Sequence, residues 1–306
     1  MKKLLVATEK PFHPDAVEGI KKICADAGYE FNILEKYTDK SELIEAVKDA
    51  NALIVRSDKV TSDVIDAADN LEIIVRGGAG YDNVDLDAAS KKNIVVMNTP
   101  GQNANAVAEL ALGMMVYFAR NLFNGKPGTE LRGKSLGIHA YGNVGKLVAE
   151  IAKGFDMDIY AFDPFKDKEY LEKDGVKPVD SVEDLYKKCQ YVSLHIPANE
   201  KTKASINYDL MKLMPANATL VNTARKEIIS EDSLQRIMKE RDDFNYISDI
   251  APDCKDVFEN NYQGRFYFTP KKMGAQTAEA NINAGIAAAE QIKNYFEKGD
   301  TTFKVN

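Results

Sequence analysis

The sequence predicts an α/β protein made of two doubly wound parallel-sheet domains. Three observations predict it. Short apolar strands alternate with helical patterns over about residues 4–75, and the same rhythm returns over about 135–268. Within the second stretch a glycine turn opens a helix. The length, 306 residues, suffices for two compact domains or one large one, so a cleft between domains is expected.

In the first rhythm, strands are expected at residues 4–7, 31–34, 53–55 and 72–75, with helices over about 14–27, 41–47 and 61–68. Asp39 with Glu42, and later Ser181 with Asp184, have the spacing of helix-start capping boxes. The join falls near Asn98-Thr-Pro-Gly101. A helical stretch over about 103–121 follows, apolar on more than one side, as in a helix buried between domains. Pro127 and Gly128 mark a loop. The second rhythm uses strands ending at Ala140, Asp163, His195, Val221 and Asp249. A last, alanine-rich helix over about 277–298 is expected to cross back to the first domain, and no internal repeat is present.

Composition narrows the function. With 44% hydrophobic and 28% charged residues the chain reads as globular and enzyme-like, not disordered. A net charge of −7 and a pI of about 5.2 argue against an electrostatic nucleic-acid binder, so any anionic ligand must meet local arginines. No apolar run reaches membrane-spanning length and the first residues read as a strand, not a signal peptide, making the cytoplasm the expected compartment. Cys24, Cys189 and Cys254 sit at unrelated spacings, so neither a disulfide framework nor a metal site is implied.

Residues 135–163 carry the clearest chemistry: strand, glycine turn, helix, and a second strand closing on an acid. Gly142 lets a pyrophosphate approach the backbone, and Gly145 lets the helix pack on the strand. After Tyr141 and Gly142, the amides of Asn143 and Val144 face an anion. Asp163, 18 positions after Gly145, can accept from an adenosine ribose and would repel a 2′-phosphate, favouring NAD over NADP. The usual pattern is Gly-x-Gly-x-x-Gly, and Ala140 stands at its first position, where a methyl fits if φ stays negative.

Several further stretches join this turn: Val55-Arg-Ser57, the run 75–89 (VRGGAGYDNVDLDAA), Val96-Met-Asn-Thr-Pro100, Ala108-Glu-Leu110, Leu194-His-Ile-Pro197, Val221-Asn-Thr-Ala-Arg225 and Phe268-Thr-Pro270. Together they resemble the D-2-hydroxyacid dehydrogenase family, most closely short D-3-phosphoglycerate dehydrogenases. The resemblance implies a Rossmann NAD domain (101–276) inserted into a flavodoxin-like substrate domain (1–100 and 277–306), usually as a homodimer. It also implies no appended regulatory domain.

Family chemistry is then expected here: NAD-dependent oxidation of 3-phospho-D-glycerate to 3-phosphohydroxypyruvate, the first step of serine biosynthesis. The alternatives are a glyoxylate or hydroxypyruvate reductase, and a catalytically silent NAD(H)-binding protein. Oxidising a 2-hydroxy acid needs a proton acceptor and a cation for the carboxylate and forming carbonyl. Arg225 matches the family arginine. The family histidine is absent: Thr269-Pro-Lys-Lys-Met-Gly-Ala-Gln-Thr277 is one residue longer than the family pattern and puts Lys272, or by the other count Lys271, in its place. An amine, at about 10.4 unperturbed, acts as a base only if burial or a neighbouring cation brings it down. Asp253 is the candidate acid, with Asp256 and Glu259 behind it, because Cys254 occupies the family's glutamate position.

The remaining assignments also come from the resemblance. Asp249 meets the nicotinamide amide, and His195 with Pro197 shapes the cofactor pocket. Thr202, Thr223, Ala224 and Gly274 complete the cofactor set. Arg56, Ser57 and Arg76 hold the substrate phosphate, and amides from Gly77, Gly78 and Ala79 to Gly80 cradle its carboxylate. His13 and His139 read as structural and Cys254 as an inert thiol.

Overall fold

Five strands, β1 (Lys3–Thr8), β2 (Glu30–Glu35), β3 (Ala52–Val55), β4 (Ile73–Arg76) and β5 (Val95–Asn98), form a wholly parallel sheet in the order β2-β1-β3-β4-β5 in the computed structural model, which describes all 306 residues. Because strand side chains alternate, each strand feeds two cores. Leu5, Ala7, Leu53, Val55 and Ile74 enter one, while Leu4, Val6, Ile54, Ile73 and Val75 enter the other.

Helices cover both faces, and their starts follow local chemistry. In α1 (Pro14–Asp26) a proline stands in the first turn. In α2 (Lys40–Val47) the Asp39–Glu42 capping box is complete. α3 (Ser62–Ala67) and α4 (Leu86–Lys91) are short. The last helix, α12 (Ala278–Lys298), starts on Thr277, whose hydroxyl accepts from the Ala280 amide at 3.1 Å, and packs along α1. The chain end then closes the edge of β5: the Val305 amide donates to Val96 and the Asn306 side chain accepts from the Val96 amide. These parts form one compact unit, Met1–Asn103 with Gln276–Asn306.

The second unit, Ala104–Ala275, holds a seven-stranded parallel sheet. Its strands are β6 (Ser135–His139), β7 (Asp158–Phe162), β8 (Lys177–Pro178), β9 (Tyr191–Leu194), β10 (Thr219–Asn222), β11 (Asn245–Ser248) and β12 (Phe266–Phe268), in the order β12-β11-β10-β9-β6-β7-β8. The order reverses between β6 and β9, the switch point where doubly wound sheets place ligands. β8 has only two residues, one of them a proline, too short for periodicity to reveal.

In this unit α5 (Ala104–Ala119) packs along α6 (Asn143–Gly154), sharing a core with Leu136, Ile138 and Val221. The short α7 (Lys168–Lys173) adds Leu171 to that core, while α8 (Val182–Lys188), α9 (Tyr208–Met211) and α10 (Glu231–Glu240) cover the opposite core with Val192, Leu194 and Leu220. Ser181 caps α8 by accepting from the Asp184 amide. No helix is long and apolar enough to cross a membrane.

Candidate active site

α6 begins on Gly142 with no capping side chain, and a Cβ there would meet nothing within 4 Å. The Asn143 and Val144 amides therefore lie at a 12-residue helix's positive end with open space before them. Gly145 is fixed by packing, since a Cβ would stand 2.3 Å from the Ala140 carbonyl oxygen. Ala140 overturns one expectation: its φ is +75°, in the left-handed region and not negative. The tight turn demands that conformation, so the methyl is carried at a steric cost. The open, uncapped amides are what a dinucleotide's pyrophosphate requires.

Asp163 sits beside this turn. One carboxylate oxygen accepts from the Tyr141 amide and the other from the Phe165 amide, each at 2.8 Å, which fixes the acid at the mouth of the glycine turn. Below it, buried His139 contacts the Tyr186 hydroxyl at 3.3 Å, and burial pulls its pKa down to about 4. His195, bonded to the Ser193 hydroxyl at 2.9 Å, is lowered to about 3 by burial and then by His139, so it is neutral and unsuited to proton transfer near neutrality. Past it, the Thr202 hydroxyl donates to the Pro197 carbonyl at 2.5 Å and accepts from the Asn199 amide at 2.9 Å, shaping that loop.

At the end of β10, Asn222 braces the turn by accepting from the Ala224 amide and donating to the Arg225 carbonyl. Arg225 is half-buried in extended backbone, with one guanidinium nitrogen 2.9 Å from the Ala224 carbonyl. The Thr223 hydroxyl is buried without any hydrogen-bond partner, a donor awaiting an acceptor.

Asp253 is exposed and pairs with Lys226, the residue after Arg225. Glu231 holds the same turn through the Asp253 and Cys254 amides at 2.6 and 3.1 Å. Neither Lys226 nor Glu231 was expected; only the basic pair Arg225-Lys226 hinted at the first. Glu259 pairs with Lys255 along α11 (Lys255–Asn261), and Asp256 lies in that helix's first turn. Cys254 is half-buried, its thiol pushed up to about 12 by burial and then by Glu231, which leaves it unreactive.

Asp249, expected to face a nicotinamide, is 1% exposed with both oxygens engaged by protein. Oδ1 accepts from the Thr269 hydroxyl at 3.0 Å and the Met273 amide at 2.7 Å, and Oδ2 from the Gly274 amide at 2.8 Å. The loop so held carries Lys271 and Lys272, both exposed.

In the first unit, Arg56 departs from expectation. Its guanidinium donates to the Lys10 and Pro11 carbonyls at 3.1 Å each and lies over the Phe12 ring, which makes it a structural clamp. Arg76 donates Nε to the Arg56 carbonyl at 2.9 Å and packs on Gly78, where a Cβ would strike its guanidinium. The Gly77 amide is spent on the Val55 carbonyl, which takes it out of the expected cradle and leaves the Gly78 and Ala79 positions; Ser57 is exposed.

A family model for the D-isomer specific 2-hydroxyacid dehydrogenase catalytic domain matches residues 5–306. A D-3-phosphoglycerate dehydrogenase of Methanocaldococcus jannaschii is 38% identical, covering 96% of this chain, which spans 57% of that relative's length. A hydroxypyruvate reductase of Thermotoga maritima is 35% identical over 86% of this chain and 90% of its own. Among solved structures, the NAD+-bound 3-phosphoglycerate dehydrogenase of Entamoeba histolytica is 50% identical, with a TM-score of 0.89 and coverage of 100% of this chain and 98% of that one. The chain belongs to the D-isomer specific 2-hydroxyacid dehydrogenase family.

Proposed function

We propose that this chain uses NAD to oxidise 3-phospho-D-glycerate to 3-phosphohydroxypyruvate, the first step of serine biosynthesis, acting as a cytoplasmic homodimer. One observation carries the substrate assignment: the end-to-end likeness, at 50% identity, to a 3-phosphoglycerate dehydrogenase holding NAD+. The uncapped start of α6, the strand-end Asp163 and the unpartnered Thr223 hydroxyl support the cofactor.

A nicotinamide bound there would supply the hydride acceptor for C2. The chain's own residues do the rest. The Asn143 and Val144 amides bind the pyrophosphate, and Asp163 accepts from the ribose. Arg225 holds the carboxylate and polarises the C2 oxygen. Lys272, with Lys271 as the alternative, takes the hydroxyl proton during oxidation and returns it during reduction. Arg76 takes the phosphate, and Asp253 keeps Lys226 beside Arg225.

NADH formation over a panel of 2-hydroxy acids tests this. The expected result is turnover of 3-phospho-D-glycerate, with kcat/KM falling roughly tenfold or more in Arg76→Ala, the loss of one charge-assisted contact. A rate unchanged in that variant removes the phosphate role. A second reading, a hydroxypyruvate reductase, is favoured by the Thermotoga maritima relative, nine-tenths of whose length is matched. It predicts good turnover of unphosphorylated acids and indifference to Arg76. Tight NADH binding with no turnover of any hydroxy acid would mark a silent binder.

A further inference from the structure

Asp249 lies just past β11, and every hydrogen bond its side chain accepts comes from 20 or more positions further along the chain. The Thr269 hydroxyl and the Met273 amide converge on one oxygen, Oδ1, and the Gly274 amide on the other. Pro270, Lys271 and Lys272 therefore form a short arch whose two feet stand on one carboxylate. The one proton of the Thr269 hydroxyl is shared between Oδ1 and the Asp249 carbonyl, 2.6 Å away, so the backbone just past β11 also holds the first foot. At the second foot, a Cβ on Gly274 would come within 2.9 Å of Oδ2, so only glycine brings its amide to bonding distance.

A carboxylate held at 1% exposure needs such donors, and each donor withdrawn leaves a charge or an amide uncompensated in the interior. These bonds hold the arch at both its ends. We infer that Asp249 is the positioning residue for the lysine arch: its carboxylate fixes where the Lys271 and Lys272 amines stand, beyond any contact of its own with a cofactor. This rests on the reading that one of those lysines carries the proton.

Asp249→Asn is the first test, because the amide is isosteric but accepts at only one of its two atoms, turning its NH2 against Met273 or Gly274. Gly274→Ala is the second, since it disturbs the same contact without altering the acid. Amide hydrogen exchange is measured on both variants, alongside kcat and the NADH dissociation constant. In Asp249→Asn the Met273 and Gly274 amides should exchange tenfold or more faster while β10 keeps its protection. kcat should fall tenfold or more with NADH affinity held within threefold, and Gly274→Ala should move the same amides and kcat in the same direction. Unchanged exchange at Met273 and Gly274 overturns the proposal, as does a loss of NADH affinity that matches the loss of kcat, which would put Asp249 on the cofactor instead. Should Lys272→Ala and Lys271→Ala both leave turnover intact, the lysine reading fails, while the exchange rates still decide whether Asp249 holds the arch.

Discussion

Each sheet buries one acid just past a strand end, and the two acids serve different ends. Asp58, 2% exposed, accepts from the Glu9 amide, the Tyr37 hydroxyl and the Arg56 amide, binding together loops that follow β1, β2 and β3. Asp249 binds β11 to the lysine arch. Around Asp58 the Arg56 guanidinium sits on its two carbonyls, while the buried Thr8 hydroxyl and one Glu35 oxygen nearby have no partner. In the seven-stranded unit, the α6 amides and the Thr223 hydroxyl wait for a partner. Buried acids of this kind tie together segments distant in sequence in both units.

The largest effect expected from this contrast is on stability. Asp58→Ala leaves two amides and the Tyr37 hydroxyl without their acceptor and should cost about 3 kcal/mol or more in a urea melt. A cost under about 1 kcal/mol would mean that Asp58 organises nothing.

Acid pH comes next. His139 falls from an ordinary 6.5 to about 4 and His195 to about 3, so below pH 6.5 the unfolded chain holds protons that the folded one refuses. Stability is therefore complete above about pH 6.5 and is lost as pH drops towards those folded values. Between pH 7 and pH 5, His139 alone should account for a loss of about 2 kcal/mol. His139→Gln should flatten that slope, and an unchanged slope would show that the imidazole is not buried neutral.

A smaller gain is expected from Ala140→Gly, which relieves a left-handed alanine and should stabilise by about 1 kcal/mol in thermal melts. Thr223→Val should shift stability least, within about 0.5 kcal/mol, because the hydroxyl has no bond to lose. NADH affinity should nevertheless drop in that variant, and equal affinity would show that the hydroxyl stays idle when ligand binds.

Much of this fold is legible in the sequence because strands and helices differ in period, and both sheets alternate their side chains between two cores. The conformation of Ala140 is not legible from its residue type, since a methyl argues against positive φ and the turn overrides it. Asp249 shows the other limit: an acid at a strand end is visible, but its donors come from a loop over 20 residues away. Arg56 likewise has the residue type of a phosphate ligand, and only the fold reveals the carbonyls that occupy it. Exposure of Lys271 and Lys272 belongs to the same class, set by tertiary packing that no local pattern encodes.

Single-turnover measurement of Lys272→Ala beside Lys271→Ala, with NADH binding followed by fluorescence, bears most directly on a lysine acting where the family histidine would. One of the two variants should lose about a hundredfold or more in the chemical step while binding NADH as the parent does. If both turn over 3-phospho-D-glycerate at the parent rate, no amine of that arch moves the proton.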